Sequence, residues 1–140
     1  MPGINKQEDL TTRLYKFEQR LKTFHSWPFG RDCACTAEKM AEAGFYVLNP
    51  KREPDLVKCF FCLKELDGWE EADDPWKEHE SHSQECSFIK LGKEESEMTL
   101  GEILQLLVDR TLLISKRQYE AARQQFTEGY ENVKELLNKI

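Results

Sequence analysis

The sequence predicts an α+β chain of 140 residues, in which a compact unit of short helices and strands is followed by one long C-terminal α-helix. Three observations predict this. Cysteine and histidine residues gather between Cys59 and Cys86 at metal-ligand spacing, the mark of a small unit organised around an ion. Just before them, β-rich runs flank the turn residues Asn49-Pro50 and Glu53-Pro54-Asp55. Finally, from Leu100 to Ile140 there is no proline, and apolar residues recur every seven positions. The expected organisation is an N-terminal segment over 1–14, a metal-binding domain over 15–91, a linker over 92–98 and a helix over 99–140.

Each element has its own local reason. From Lys6 to Phe24 the residues Leu10, Leu14, Phe17, Leu21 and Phe24 recur at spacings of three and four, which predicts an amphipathic helix ended by "SWPF" and Gly30. Thr36 is an N-cap for a short helix through "AEKMAEAGFY", with Gly44 as its stop. "FYVLNPKREPDLVKCFFC" reads as strand, turn and strand, the second strand ending in the Cys59–Cys62 knuckle. Asp73, Asp74 and Pro75 open another short helix, on which His79 and His82 share a face. After the polar stretch "GKEESE", Thr99 and Glu102 form a capping box for the last helix, which at 1.5 Å per residue is about 60 Å long. Leu112, Tyr119, Phe126, Val133 and Ile140 form its heptad stripe, and Ala122, Tyr130, Leu136 and Leu137 adjoin it. Such a stripe calls for other long helices to cover it.

Composition excludes several functions. The net charge of -6 disfavours binding to nucleic-acid phosphates. No run of about eighteen apolar residues is present to span a membrane, and "MPGINKQEDL" lacks the apolar core of a secretory signal, so an intracellular protein is expected. Five cysteines then read as metal ligands and leftover thiols, not as a disulfide framework. The acids are concentrated between residues 64 and 80, where Glu65, Asp67, Glu70, Glu71, Asp73, Asp74, Glu78 and Glu80 surround Trp69 against Lys64 and Lys77.

The C-x2-C pair followed by histidine and cysteine points to a tetrahedral Zn²⁺ site. Cys59 and Cys62 supply two ligands, while His79, His82 and Cys86 compete for the other two, and Cys33 and Cys35 are further thiols. A two-histidine finger fits poorly, because only two residues separate His79 from His82. The preferred set is Cys59, Cys62, His79 and Cys86, with one zinc held structurally, since four protein ligands leave no position for reactive water. No thiol is spaced to work with His25 or His82 as a base, so an enzyme is not expected and no catalytic residue is assigned.

The series Arg20, "TF", "WPF", "MAEAGFY", "DLVKCFFC", "DGWEEADDPWKEHESHSQEC" and Phe88 resembles the baculoviral inhibitor-of-apoptosis (BIR) repeat over roughly residues 15–90. The further matches "CACT", "EPDL" and "MTLGE" resemble its single-repeat members, which carry one long helix after the repeat. The resemblance implies helices around a three-stranded antiparallel sheet and zinc on Cys59, Cys62, His79 and Cys86. It also implies recognition of peptides by their free amino terminus. Leu66 and Trp69 would form the pocket for a first alanine, Asp73 would pair with the amine, and Glu65 and Asp67 would meet following basic residues, with Glu78 also among the peptide-binding residues.

In the single-repeat members the peptide is the N-terminal tail of histone three phosphorylated on threonine, and Lys64 and His82 suit the phosphate. Their long helix bundles with helices of borealin and the inner centromere protein. This places Aurora B kinase, contacted indirectly, at centromeres, the spindle midzone and the midbody, in proteins found in nucleus and cytoplasm. The resemblance further implies a homodimer through the N-terminal segment and the domain-to-helix junction, with Leu10, Leu14, Leu100 and Ile103 as candidates. It also implies binding to N-terminal tetrapeptides of apoptotic proteins. Three positions depart from the pattern. Thr36, a candidate phosphosite, is followed by Ala37 where proline is common; Ala72 removes an acid from the loop; and Glu95 replaces a hydrophobic residue.

Overall fold

The computed structural model describes residues 12–140. Leu10 and most of the N-terminal segment lie outside them. The first complete helix, α1, spans Phe17–Lys22, and Lys16 before it is extended. The continuous helix expected up to Phe24 is therefore broken at Leu14–Lys16. Arg20 explains the break. Its buried guanidinium donates from Nη1 to the carbonyls of Leu14 and Tyr15, each at 3.0 Å, and from Nε to Ala41 O at 3.0 Å. Carbonyls aimed back at a side chain in this way cannot continue a helical ladder.

After a turn-rich stretch containing Trp27 comes α2, Ala37–Glu42. The Thr36 hydroxyl accepts from Lys39 N at 3.3 Å, as an N-cap should. Gly44 ends it at φ +93, and a Cβ there would meet the Phe88 ring at 3.0 Å, so both backbone and packing require glycine. Strands β1, Phe45–Asn49, and β2, Glu53–Cys59, pair antiparallel, with Phe45 opposite Cys59 and Val47 opposite Val57. The two-residue β3, Glu65–Leu66, pairs with β2 and completes a three-stranded sheet of order β1-β2-β3. Thr23 fastens α1 to the sheet: its hydroxyl donates to Arg20 O at 2.6 Å and accepts from Val47 N at 2.9 Å. Met40, Phe45, Val57 and Phe61 form the buried centre of this unit.

Helix α3, Pro75–His82, starts on an Asp74 carboxylate that accepts from Trp76 N and Lys77 N, with proline in its first turn. Helix α4, Ser87–Leu91, follows at once and ends at Gly92 in the left-handed region; sequence periodicity did not indicate it. The linker carries a 3-10 turn, Glu95–Glu97, and Glu95 Oε2 accepts from Phe17 N at 2.6 Å, capping α1 from far along the chain. Helix α5, Leu100–Asn138, starts with the expected capping box: Thr99 N donates to Glu102 at 2.9 Å and Glu102 N to the Thr99 hydroxyl at 3.2 Å.

Contacts divide the chain into a unit reaching Ile103 and a second, Leu104–Ile140, formed by the rest of α5. At 39 residues, α5 is about 58 Å long. Its heptad residues Leu112, Tyr119, Phe126 and Val133 are all more than half exposed, as is Ile140, which lies just past the helix end at Asn138 and not in the helix as expected. None of the described helices is long and apolar enough to cross a membrane.

Candidate metal centre and peptide-reading loop

The end of β2 turns back on itself to make the metal knuckle. Leu63 adopts φ +63, Leu63 N donates to Cys59 O at 3.0 Å, and Cys59 N donates to Lys64 O at 3.0 Å. The turn aims two further backbone donors, Phe61 N at 3.3 Å and Cys62 N at 3.5 Å, at Cys59 Sγ. Amides pointing at a sulfur stabilise it as a thiolate. His79 comes from the last turn of α3, and Cys86 is the residue before α4.

The ligand atoms of Cys59, Cys62, His79 and Cys86 all lie within 4.8 Å of one another, and all four residues are buried. Zinc with bonds of about 2.0–2.3 Å needs its ligands this close together. His79 Nδ1 lies 2.7 Å from the carbonyl oxygen of Ala43, which only accepts, so that nitrogen carries the proton and Nε2, 3.4 Å from Cys62 Sγ, presents its lone pair. Hydrogen bonds from Cys59 and Cys86 hold the Cys62 thiol far below the usual cysteine range, whereas burial pushes Cys59 well above it. Three buried thiols cannot all ionise next to one another, but a dication reverses that penalty. The residues fit one structural Zn²⁺.

The other candidate ligands lie elsewhere. His82 does not share the inward face with His79; it is exposed, with Nε2 3.5 Å from Glu78. Cys35 is buried, and its thiol donates to Glu70 O at 3.3 Å; burial, chiefly, raises its pKa. Cys33 is half-buried and outside the cluster. His25 is exposed and contacts Ser26 Oγ.

The acidic loop runs from the knuckle to α3. Leu66 is half-buried opposite Val57, and exposed Glu65 pairs with Lys58 at 3.7 Å. Lys64 and Asp67 are exposed. Gly68, at φ +69, donates its N–H to Asp55 at 3.2 Å. Trp69 is only 8% exposed, edge-on to Phe45 at 5.6 Å and to Trp27 at 6.4 Å. Asp73 accepts from Glu70 N at 2.8 Å while Asp73 N donates to Glu70 O, which closes a turn directly after Trp69. The loop is thus built from fixed turns on an aromatic base. Trp27 completes that base, its indole N–H on Cys35 O at 2.8 Å. The sequence motif "WPF" was the only sign of this role.

Of the dimer and partner candidates, Leu14 is buried in the core of its own unit, whereas Leu100 and Ile103 are exposed. Thr36 serves as the α2 cap.

The profile described as BIR, the inhibitor of apoptosis domain, matches residues 20–90. Baculoviral IAP repeat-containing protein 5.2-A of Xenopus laevis is 48% identical over 91% of this chain and 82% of its own length. Baculoviral IAP repeat-containing protein 5 is 41% identical in Cavia porcellus, covering 90% of its own length, and 40% identical in Mus musculus, covering 91%.

Proposed function

From the premise that the chain belongs to the BIR inhibitor-of-apoptosis family, in its single-repeat, survivin-type branch, we propose that it is a non-enzymatic chromatin reader and adaptor. Its zinc domain takes the N-terminal tail of histone three phosphorylated on threonine. Its long helix joins borealin and the inner centromere protein in the chromosomal passenger complex and so brings Aurora B kinase to centromeres for chromosome segregation and cytokinesis.

One observation carries the reading of the domain. Strand β3 is an edge strand with no strand beyond it among the described residues, and it runs directly into a fixed acidic loop over Trp69. An extended peptide can add to that edge through its backbone, with its cationic amine toward Asp73 and its basic side chains toward Glu65, Asp67 and Glu78. Lys64 and His82 supply the donors a phosphate requires, and His82 Nε2 lies 3.5 Å from a Glu78 carboxylate oxygen. The exposed heptad stripe of α5 supports the adaptor role, because an apolar stripe of that length needs partner helices.

A second reading rests on the same edge: inhibition of apoptosis by binding N-terminal tetrapeptides of mitochondrial antagonists or caspases, in keeping with the IAP names of the relatives. The deciding experiment measures affinity for Ala-Arg-Thr-Lys peptides with a free or acetylated amine and with or without phosphothreonine. The chromatin reading expects acetylation to abolish binding and phosphate to strengthen it. Binding indifferent to acetylation rules out the pocket. Phosphate without effect leaves the tetrapeptide reading and removes the roles of Lys64 and His82.

A further inference from the structure

A second cleft, of about 720 Å³, opens on the first unit between α1, the end of α2, Trp76 at the start of α3, Phe88 on α4 and the linker at 92–96. Neither the zinc ligands nor Glu65, Leu66, Asp67, Trp69 or Asp73 line it. Its volume lies in the range of sites for small organic ligands.

The walls combine two chemistries. Trp76 and Phe88, with ring centroids 5.9 Å apart and tilted, give an apolar floor of which Trp76 remains half-exposed. Around it stand four carboxylates, Glu18, Glu42, Glu94 and Glu95, and three bases, Lys16, Arg20 and Lys93. Most of the positive charge is already engaged. Arg20 is buried on three carbonyls with the charge of Glu95 acting on it, and Lys93 is paired with Glu102 at 2.6 Å. That leaves Glu18, Glu42 and Glu94 lining the cleft with no side-chain hydrogen bond or ion pair among the described residues, against Lys16 alone. Glu42 is also the last residue of α2, where the helix carbonyls add negative character.

An aromatic floor beneath an excess of unpaired carboxylates is complementary to an alkylammonium group. Its methylenes lie on the rings, and its charge sits over an indole face and within reach of the acids. The geometry points to this cleft as a binding site for a primary alkylammonium ligand, taken from a free aliphatic polyamine or from a lysine side chain of another protein.

The test uses the zinc-loaded, full-length, ¹⁵N-labelled chain and follows the indole N–H resonance of Trp76, with those of Trp27 and Trp69 as internal references. Three probes are titrated: spermidine; a lysine tripeptide blocked at both termini, which offers no α-amine to the loop at Trp69; and its uncharged norleucine analogue. The Trp76 resonance should move saturably with spermidine or the lysine peptide and not with norleucine. Glu42→Gln, a change at an exposed site, should weaken the effect about threefold to tenfold with zinc content unchanged. Response to spermidine alone identifies a free amine, whereas response to the lysine peptide identifies a side chain. No movement up to about 10 mM, where even very weak binding would register, overturns the assignment. Equal movement with norleucine, or unchanged affinity in Glu42→Gln, also overturns it.

Discussion

Replacing Arg20 with methionine keeps most of the side-chain volume and removes the charge and all its donors. The lost interactions are three hydrogen bonds of 3.0 Å to Ala41, Leu14 and Tyr15 and the guanidinium contacts with the Phe60 and Phe88 rings at 4.6 and 5.8 Å. Charge-assisted bonds contribute about 1.5–3 kcal/mol each, roughly 5–9 kcal/mol for three. Several kcal/mol of desolvation offset that sum, and burial shows its strength by drawing the Arg20 pKa down to about 10 against the opposing pull of Glu95. The side chain nevertheless stays charged at neutral pH. The net loss for Arg20→Met should be about 3–5 kcal/mol, a large share of the stability of a small domain. Guanidinium unfolding at fixed zinc, followed by near-UV circular dichroism, measures it. Arg20→Lys should recover less than half, since one ammonium cannot serve three carbonyls in different directions. A loss below about 1 kcal/mol for Arg20→Met would refute the view that this side chain ties the N-terminal turn to α2.

Chelating the zinc, or Cys86→Ser, should unfold the first unit while most far-UV helicity from α5 persists, because the ligands all lie before Phe88; a first unit still folded without metal would contradict a structural site. Phe126→Glu and Val133→Glu should abolish co-purification with partner helices and leave zinc content and peptide affinity unchanged. Thr36→Ala removes a cap bond and should cost about 1 kcal/mol in the same denaturant assay. The hydrogen bond from Lys93 and those at Thr99 lower the Glu102 pKa, so their contribution is present above the ordinary carboxylate range and lost as pH falls through the lowered value. The protection factor of the Ile103 amide, its exchange corrected for the intrinsic pH dependence, should therefore fall on acidification, and Glu102→Gln should remove most of that fall.

The zinc ligands could be read from sequence because the knuckle and α3 are local structures with characteristic spacing. The preference for His79 over His82 was also legible from spacing, but its physical seat, the carbonyl of Ala43 from a distant turn, was not. Caps at Thr36, Asp74 and Thr99 were likewise legible, since each acts within three residues. What the sequence hid was long-range. The bond from Phe17 N to Glu95 spans 78 residues, and Arg20 breaks the expected helix through bonds to Leu14 and Tyr15 that no periodicity encodes. Strand β3 is two residues long and exists by pairing with β2, below the length at which alternation can be seen. Trp69 was visible as an aromatic among acids, but its seat on Phe45 and Trp27 belongs to the packed core.

The Thr23 hydroxyl that occupies Val47 N has a consequence for stoichiometry. A three-stranded sheet has two flanks on which another strand can grow, and a chain open at both would polymerise head to tail. Here the β1 flank has one of its amides, Val47 N, taken by the residue that caps α1, so among the described residues growth is favoured beyond Glu65–Leu66. A guest strand that added there would end the array, because the opposite flank offers it no equally open row of donors among the described residues.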